Sequence, residues 1–202
     1  MKIQVKTFFA AGVLALAALG VRAASVGEQA PDFTLTDTYG NTHSLSASSG
    51  KFVVLEWFSH NCPFVGKHYD SGNMQALQKH YTGRGVVWYS INSTHSGHRD
   101  YREAQRSNEL TAQKAASPSA VLLDASGEVG MLYGAKTTPH MFVVDPKGTL
   151  IYAGAIDDKK STNKDDVKGA SNYVAAALDQ AMAGKPVSVA RTPPYGCAVK
   201  YR

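Results

Sequence analysis

The chain has 202 residues, of which 44% are hydrophobic and 18% are charged, and this length fits one domain with a full hydrophobic core. Much of the formal net charge of +5 comes from the N-terminus. Lys2, Lys6 and Arg22 lie within residues 1–23, a segment without acids, so residues 24–202 hold 18 basic and 16 acidic side chains. No concentrated basic surface is predicted, which argues against nucleic acid as a partner.

Residues 1–23 have the pattern of a secretory signal peptide. Lysines precede the apolar run TFFAAGVLALAALG, and the following VRA places small residues three before and one before a cut after Ala23. A membrane-spanning helix needs about 20 apolar residues, more than this run contains. We therefore expect residues 1–23 to be cleaved, the mature chain to be periplasmic or secreted, and no membrane contact after cleavage.

The mature chain, residues 24–202, has a mixed α/β pattern that begins with a β-hairpin. Residues 31–46 alternate apolar and polar side chains on both sides of a turn at residues 39–41. Two short apolar runs follow, FVVLEWF at residues 52–58 and GVVWYSI at residues 85–91. Runs of this kind are typical of strands that are buried on both faces of a sheet.

The segment between these two strands predicts a crossover helix in two pieces. After a break at Gly72, helical spacing is kept by Met74, Leu77, Gln78 and Tyr81. A connection of this length joins strands that run parallel, so the two flanking strands are expected to be parallel.

The C-terminal third predicts a second hairpin, a helix and an arm. Residues 140–154 read as two strands joined by a turn at residues 145–148. Residues 166–183 have one apolar face and are followed by Gly184, as is typical of an amphipathic helix and its end. From about residue 185 the tail KPVSVARTPPYGCAVKYR is interrupted by prolines, so we expect an extended C-terminal arm.

Cys62 is the first of only two cysteines, and its position is chemically favourable. It follows a predicted buried strand, and Pro63 comes next, where a helix is expected to begin. Unpaired N–H groups and the positive end of the helix dipole meet at such a position and favour the thiolate, which is the nucleophilic form of cysteine. A buried structural cysteine, or half of an inert disulfide, is the alternative.

The strand ending in EWFSHNC, the later TTPHMFVVDPKGTLIYAG and the order of elements over residues 26–183 together resemble the alkyl hydroperoxide reductase/thiol-specific antioxidant (AhpC/TSA) redoxins. This resemblance implies an α/β, thioredoxin-like fold. A central mixed β-sheet would be flanked by helices, with an N-terminal hairpin and a C-terminal arm, in one redoxin domain over residues 24–202.

The resemblance also assigns roles to single residues. Cys62 matches the first cysteine of the thioredoxin Cys-x-x-Cys pair, while Val65 stands at the place of the second. Thr138 and Pro139 match the cis-proline loop that faces the active site in that fold. Glu56 matches its buried acid.

Two subfamilies differ around the cysteine. Peroxiredoxins carry a Pro-x-x-x-Thr/Ser-x-x-Cys motif and an arginine ahead of the strand that matches FVVD. Here Ser59 supplies the hydroxyl, but Leu55 stands at the proline position and Pro139 at the arginine position. That arginine stabilises the charge that develops as the O–O bond breaks. We therefore expect thiol–disulfide exchange, with a peroxiredoxin-like thiol peroxidase as the alternative.

Exchange needs a second thiol, and Cys197 can supply it. The 13 residues from Gly184 to Cys197 can span about 43 Å, whereas a globule of this size is about 40 Å across. In TPPYGC the prolines reduce the entropy cost of ordering, Tyr195 offers an aromatic anchor, and Gly196 permits a close approach. A permanent structural bridge between Cys62 and Cys197 is the alternative, because it makes the same bond.

Three histidines lie near these positions in the sequence. His60 and His68 flank Cys62, and His140 follows Pro139. We expect the charge of His60 or His140 to tune the thiolate, or the imidazoles to be solvated. A copper or zinc site with Cys62 is the alternative, but the spacing matches no known ligand motif, so no metal and no cofactor are predicted.

The sequence therefore predicts an exported thiol–disulfide oxidoreductase whose site residues are Cys62, Cys197, Pro139 and Ser59. Its expected partners are proteins with a thiol or disulfide, acting as substrate or reductant, and peroxide under the alternative reading. Outside the enzymes, the alternative is a metal-binding or structural thioredoxin-like module held by a fixed disulfide.

Overall fold

The computed structural model describes residues 23–202, so the predicted signal peptide lies outside the described residues except for Ala23. Across this range no helix combines the length and the apolar character that a membrane crossing requires. The strands are β1 (Thr34–Asp37), β2 (Thr42–Ser44), β3 (Val53–Trp57), β4 (Val87–Asn92), β5 (Ala120–Leu123), β6 (Thr137–Thr138), β7 (His140–Val144), β8 (Leu150–Gly154) and β9 (Cys197–Ala198). The α-helices are α1 (Pro63–Asp70), α2 (Asn73–Thr82), α3 (Ala104–Gln113), α4 (Glu128–Tyr133) and α5 (Tyr173–Met182).

A mixed sheet forms the centre of the structure, with the strand order β2-β1-β5-β4-β3-β7-β8. β3 runs parallel to β4, and β4 runs parallel to β5, whereas β7 is antiparallel to β3. β1 pairs with β2, and β7 pairs with β8, as two antiparallel hairpins. The predictions of a mixed sheet, of the two hairpins and of parallel β3 and β4 are confirmed.

The side chains of β3 alternate between two hydrophobic cores. Val54 and Phe58, the residue after the strand, pack in a core with side chains from α1, α2 and α5. Leu55 and Trp57 pack in a second core, which includes side chains of α4. All five residues of β3 are buried. A strand held on both faces fixes the loop that follows it, and that loop carries Cys62.

The crossover from β3 to β4 has the two predicted pieces. α1 ends at Asp70 and α2 begins at Asn73. Gly72, between them, has a φ angle of 77°, a left-handed conformation that glycine adopts without the steric cost of a side chain. The prediction of a break at Gly72 is confirmed.

The predicted helix over residues 166–183 is wrong at its start. Lys164–Gly169 is a 3-10 segment, and α5 begins only at Tyr173. The Asn172 side chain accepts a hydrogen bond of 2.9 Å from the N–H of Ala175 and so caps the helix. Asparagine satisfies an otherwise unpaired N–H group of the first turn, and this local capping decides where the helix begins.

Among the α-helices and the strands of four or more residues, α3, β5 and α4 have no counterpart in the expectations from sequence. α3 buries only Ser107, so it lacks the apolar stripe by which an amphipathic helix is recognised. α4 and β5 have six and four residues, which are short windows for any periodicity. α3 matters for function, because it forms one wall of the cavity described below.

The C-terminal arm, residues 185–202, lies along the domain. The carbonyl of Ala190 accepts a hydrogen bond of 3.1 Å from the N–H of Ala153, beside β8. Near the other end of the arm, the hydroxyl of Tyr201 donates to the carbonyl of Ala135 at 2.8 Å. The arm is therefore attached to the domain on both sides of β9.

Candidate active site

Cys62 is the N-cap of α1, at the point where the loop after β3 becomes a helix. Pro63 occupies the first helical position, where its missing N–H group costs nothing. The N–H of Cys62 donates to the carbonyl of Ser59 at 3.1 Å, and the carbonyl of Cys62 accepts from the N–H of Gly66 at 2.8 Å. These bonds fix the backbone of Cys62 on both sides. Its side chain is 3% exposed.

Thr138 lies just before β7, the strand next to β3, and contacts this cysteine. The thiol of Cys62 donates to the carbonyl oxygen of Thr138, with an Sγ···O distance of 2.9 Å. The peptide bond from Thr138 to Pro139 is cis. Pro139 connects β6 to β7, so the loop that the sequence aligns with the cis-proline loop lies directly against Cys62.

Cys197 approaches the same residue, Thr138, from the arm. β9 pairs with β6 in an antiparallel ladder, and Cys197 stands opposite Thr138 in that register. Both cysteines are free thiols. Burial, followed by a hydrogen bond with Cys62 and by the charge of Cys62, raises the pKa of the Cys197 thiol to about 11. The structure thus brings together two thiols that are far apart in the sequence.

Gly196 permits this approach. A Cβ atom at residue 196 would lie closer to the carbonyl of Thr138 than real Cβ contacts allow. The φ angle of Gly196 is 140°, a value that side chains other than glycine rarely adopt. Only glycine therefore fits at residue 196, because of both its backbone conformation and its contact with the β6 backbone.

Tyr195 anchors the arm in a buried polar cluster. The Tyr195 hydroxyl donates to the carboxylate of Asp157. The Nζ atom of Lys67 lies 3.1 Å from the same carboxylate and 3.3 Å from the Tyr195 hydroxyl. Lys67 and Asp157 are each 2% exposed, and Tyr195 is 5% exposed. We call Lys67, Asp157 and Tyr195 the arm clamp.

His68 completes the surroundings of the arm clamp. Its Nδ1 atom lies 2.9 Å from the side-chain amide nitrogen of Asn73 and accepts the amide proton, so Nε2 carries the imidazole proton. Nε2 in turn lies 3.3 Å from the Tyr195 hydroxyl and donates to it. Burial first, then the hydrogen bond and charge of Asp157, raise the pKa of Tyr195 well above its ordinary value. The hydroxyl therefore remains a donor to Asp157.

The arm clamp was not predicted from the sequence. Lys67 lies on a short helix, and Asp157 lies 90 residues away. A lysine and an aspartate in such positions are ordinarily predicted to be exposed to solvent. The signal that was available is Tyr195, whose role as an aromatic anchor was expected but whose binding partners could not be named.

The histidines do not have the role that was expected. Burial lowers the pKa values of His60, His68 and His140 to about 4, so all three imidazoles are uncharged near neutral pH. The expectation that the charge of His60 or His140 tunes the thiolate is therefore wrong, and a solvated position is wrong for the buried His68 and His140. His60 hydrogen bonds to Ser107 of α3 at 3.0 Å. In residues 23–202 no group of three or more possible ligands is arranged to hold a metal ion.

Ser59 and the cationic residues bear on the peroxidase alternative. Ser59 is 8% exposed, and its carbonyl accepts the N–H of Cys62. Arg102 and Arg106 are near enough to His60 to contribute to its lowered pKa. Arg106 pairs with a glutamate of α3 at 2.7 Å, and Arg102 donates to two backbone carbonyls. Their hydrogen bonds therefore hold both guanidinium groups on α3 and the loop before it.

Glu56 lies wholly buried in β3, below the Cys62 loop. Its carboxyl group accepts hydrogen bonds of 2.9 Å from Tyr69, Trp88 and Ser90 and one of 3.3 Å from Gln78. Burial raises its pKa, although these four donors act in the opposite direction. The position is that of the buried acid implied by the resemblance.

A cavity of about 210 Å³ opens beside Cys62, between α1 and α3. Phe58, Val65, Tyr69, Leu110 and Val121 are among its apolar lining residues. No arginine lines this cavity within the part of the chain that the structure describes.

Comparisons with known structures identify the class of fold. A hypothetical protein of Sinorhizobium meliloti 1021 superposes with a TM-score of 0.74 at 27% identity, over 90% of this chain and 97% of its own. A putative thiol:disulfide interchange protein DsbE of Chlorobium tepidum superposes with a TM-score of 0.53 at 26% identity, over 65% of this chain and 85% of its own. The structure therefore has the predicted thioredoxin-like fold.

Sequence comparisons identify the family. Residues 26–153 match the AhpC/TSA family, so the chain belongs to that family and is a thiol-dependent redox enzyme, as expected from the resemblance. The thioredoxin-like protein YneN of Bacillus subtilis is 27% identical over 70% of this chain and 79% of its own length. The thiol–disulfide oxidoreductase ResA of Geobacillus kaustophilus is 29% identical over 63% and 68%. The matched segment contains Cys62 and Pro139 but ends before the arm.

Replacing Gly196 with Ala should detach the middle of the arm. The new Cβ atom meets a backbone carbonyl that cannot move aside, and overpacking of this kind costs about 1–3 kcal/mol. Hydrogen exchange of the Val199 amide, which donates to Lys136 at 3.1 Å, should accelerate by about tenfold or more. Gly169→Ala is the matched control, because nothing lies within 4 Å of its Cβ position. Unchanged protection in Gly196→Ala would contradict the steric argument.

Proposed function

We propose that the chain is an exported thiol–disulfide oxidoreductase in which Cys62 is the attacking thiolate and Cys197 is the resolving thiol. The observation that supports this proposal is that Thr138 contacts both cysteines: its carbonyl accepts a hydrogen bond from the Cys62 thiol, and its residue pairs with Cys197 in a β-ladder. A resolving thiol supplied by the arm replaces the second cysteine of a Cys-x-x-Cys pair, where this chain has Val65. Export follows from the predicted signal peptide at residues 1–23.

The reaction proceeds in two exchanges. The Cys62 thiolate attacks one sulfur of a substrate disulfide, forms a mixed disulfide and releases the first substrate thiolate. Cys197 then loses its proton and attacks the Cys62 sulfur, which forms the Cys62–Cys197 disulfide and releases the second thiolate. Both leaving thiolates take up protons, so the substrate gains two electrons and two protons while the protein is oxidised. The reverse sequence oxidises a dithiol.

The pKa of Cys197 determines the order of these two exchanges. Burial is the largest cause of its elevation to about 11, and the hydrogen bond and charge of Cys62 add to it. Cys197 therefore stays protonated near neutral pH. Once Cys62 is in a mixed disulfide, its charge is gone and one reason for the high pKa of Cys197 disappears. The second thiol thus becomes a better nucleophile only when it is needed.

The names of the relatives support the same substrate class. ResA of Geobacillus kaustophilus is a thiol–disulfide oxidoreductase, and the Chlorobium tepidum structure is a putative thiol:disulfide interchange protein. By analogy, the partners of this chain are proteins that present a thiol or a disulfide. A peroxiredoxin-like peroxidase is the second candidate, because Ser59 places a hydroxyl three residues before Cys62.

Air-purified mature protein should contain an intramolecular Cys62–Cys197 disulfide, because both residues meet at Thr138 and exported proteins encounter oxidising conditions. Non-reducing peptide mapping detects the linked peptides, and Cys197→Ser is the control that should lose them. Two free thiols, or a dimer linked through these cysteines, would contradict the proposed pairing.

In the reduced protein, iodoacetamide should modify Cys62 before Cys197 near neutral pH, because a pKa of about 11 leaves Cys197 almost entirely protonated. The pH–rate profile of Cys197 should move to lower pH in Cys62→Ser, which removes the charge at residue 62, and burial should keep its midpoint above the ordinary value of 9.0. Mass spectrometry of each peptide measures both rates. The assignment of roles fails if Cys197 is modified first in the unmutated protein.

Disulfide exchange should be fast and peroxide reduction slow, because Pro139 stands where peroxiredoxins place the arginine that assists O–O cleavage. Stopped-flow mixing of reduced protein with hydrogen peroxide should give a rate within about tenfold of a free thiol of matched acidity. Cys62→Ser should abolish exchange, and Cys197→Ser should trap the mixed disulfide. Peroxide consumption many orders faster than this, lost in Ser59→Ala, would favour the peroxidase.

A further inference from the structure

The cavity beside Cys62 and the resolving thiol lie on opposite sides of the Cys62 loop. Val121 of β5 and Ser90 of β4 line the cavity, and both strands lie on one side of β3 in the sheet. Thr138 and Cys197 lie towards β7, the neighbour of β3 on the other side, and neither of them lines the cavity. Cys62, which follows β3, therefore stands between the two.

The geometry of thiol–disulfide exchange predicts on which side of Cys62 the substrate lies. Displacement at a disulfide sulfur is an in-line reaction, so the attacking sulfur and the leaving sulfur stand on opposite sides of the sulfur between them. In the second exchange Cys62 is the central sulfur and Cys197 attacks from the side of Thr138. The leaving substrate sulfur must then point away from Thr138, towards the cavity.

We propose that this cavity is the substrate subsite, and that it receives an uncharged aromatic or aliphatic group attached to the sulfur that bonds to Cys62. The inference rests on the proposed function and adds a substrate class to it. At about 210 Å³ the cavity is smaller than the ~300–1,000 Å³ of sites for drug-sized ligands, so it fits one side chain or a small organic group.

The polar groups at the cavity favour an uncharged occupant. Lys114 and Asp70 both line it, and they neutralise each other in an ion pair of 2.5 Å. His60 also lines the cavity, but it is held by Ser107 and is uncharged near neutral pH. Charge on the substrate would find no unpaired counterion among these lining side chains, whereas an apolar group would meet the side chains of the apolar wall.

Val65 belongs to that apolar wall. It stands three residues after Cys62, where a second cysteine would have placed a thiol on α1. With a valine there, the cavity wall is chemically inert towards the mixed disulfide. The substrate group can occupy the cavity until Cys197 attacks from the opposite side and releases it.

The test compares two thiosulfonates on reduced Cys197→Ser protein. The Cys62 thiolate attacks the divalent (sulfenyl) sulfur of methyl or benzyl methanethiosulfonate. This step forms a methyl or benzyl mixed disulfide and expels methanesulfinate. Relative to a free thiol such as N-acetylcysteine, the ratio of benzyl to methyl rates at Cys62 should be higher by about tenfold, because the ring is buried in the cavity. The protein with Cys197 should then release one equivalent of benzyl mercaptan.

Leu110→Trp fills the cavity from α3 and should return the rate ratio to that of the free thiol. Ala112→Trp is the matched control, since Ala112 is exposed on the same helix and does not line the cavity. It should keep the high ratio. If Leu110→Trp does not fold, rates for methyl, propyl and butyl thiosulfonates on the Cys197→Ser protein provide the same test, and they should rise with the size of the group.

The failures of the two proposals are distinguishable. If Cys62 reacts rapidly with both probes but the rate ratio equals that of the free thiol, the subsite is overturned and the proposed function stands. The same conclusion follows if Leu110→Trp and Ala112→Trp lower the ratio equally. If Cys62 reacts with neither probe faster than a buried, inert thiol, both the subsite and the proposed function are overturned.

Discussion

The carbonyl oxygen of Thr138 is the group on which the arrangement of both thiols depends. It accepts the S–H proton of Cys62, and its residue pairs with Cys197 in the β6–β9 ladder. A thiolate cannot donate a hydrogen bond, so ionisation of Cys62 removes the first of these interactions and leaves a negative sulfur beside a carbonyl oxygen. The same sulfur belongs to the N-cap residue of α1, where the first N–H groups of the helix have no partner within the helix.

The arm clamp explains how a distant segment is held to this point with sufficient accuracy. Burying Lys67 and Asp157 carries a desolvation penalty, and the ion pair is not the only interaction that offsets it. Tyr195 donates to the same carboxylate, and the carbonyl of Lys159 accepts from Lys67 at 2.6 Å, so each charge has further hydrogen bonds. Removing one partner of such a pair costs about 3–5 kcal/mol, because the other charge stays buried. The cluster therefore specifies one position for the arm, two residues before Cys197.

The fold was largely predictable, because its main elements carry strong periodic patterns. β3 and β4 are continuous apolar runs, and glycine at residue 72 marks the break in the crossover. The position of Cys62 before Pro63 likewise singled out the residue that we propose as the nucleophile. Long-range polar contacts were not predictable: the pairing of Lys67 with Asp157 has no local signature, and the neutral state of His60 follows from burial against α3. That helix is itself polar on nearly every face, so its role as a wall of the cavity could not be predicted from the sequence.

The docked arm also favours one direction for the exchange. An unattached arm would have to be ordered whenever the disulfide forms, and that loss of chain entropy would oppose the bond. Here Tyr195 and the β6–β9 ladder hold Cys197 beside Cys62 while both thiols are still reduced. The ordering has already occurred in folding, so the proposed second exchange would be an intramolecular reaction between prepositioned groups. A dithiol that closes easily is a poor oxidant in its disulfide form and a good reductant in its thiol form, so under the proposed function the geometry of the arm favours the reduction of substrate disulfides.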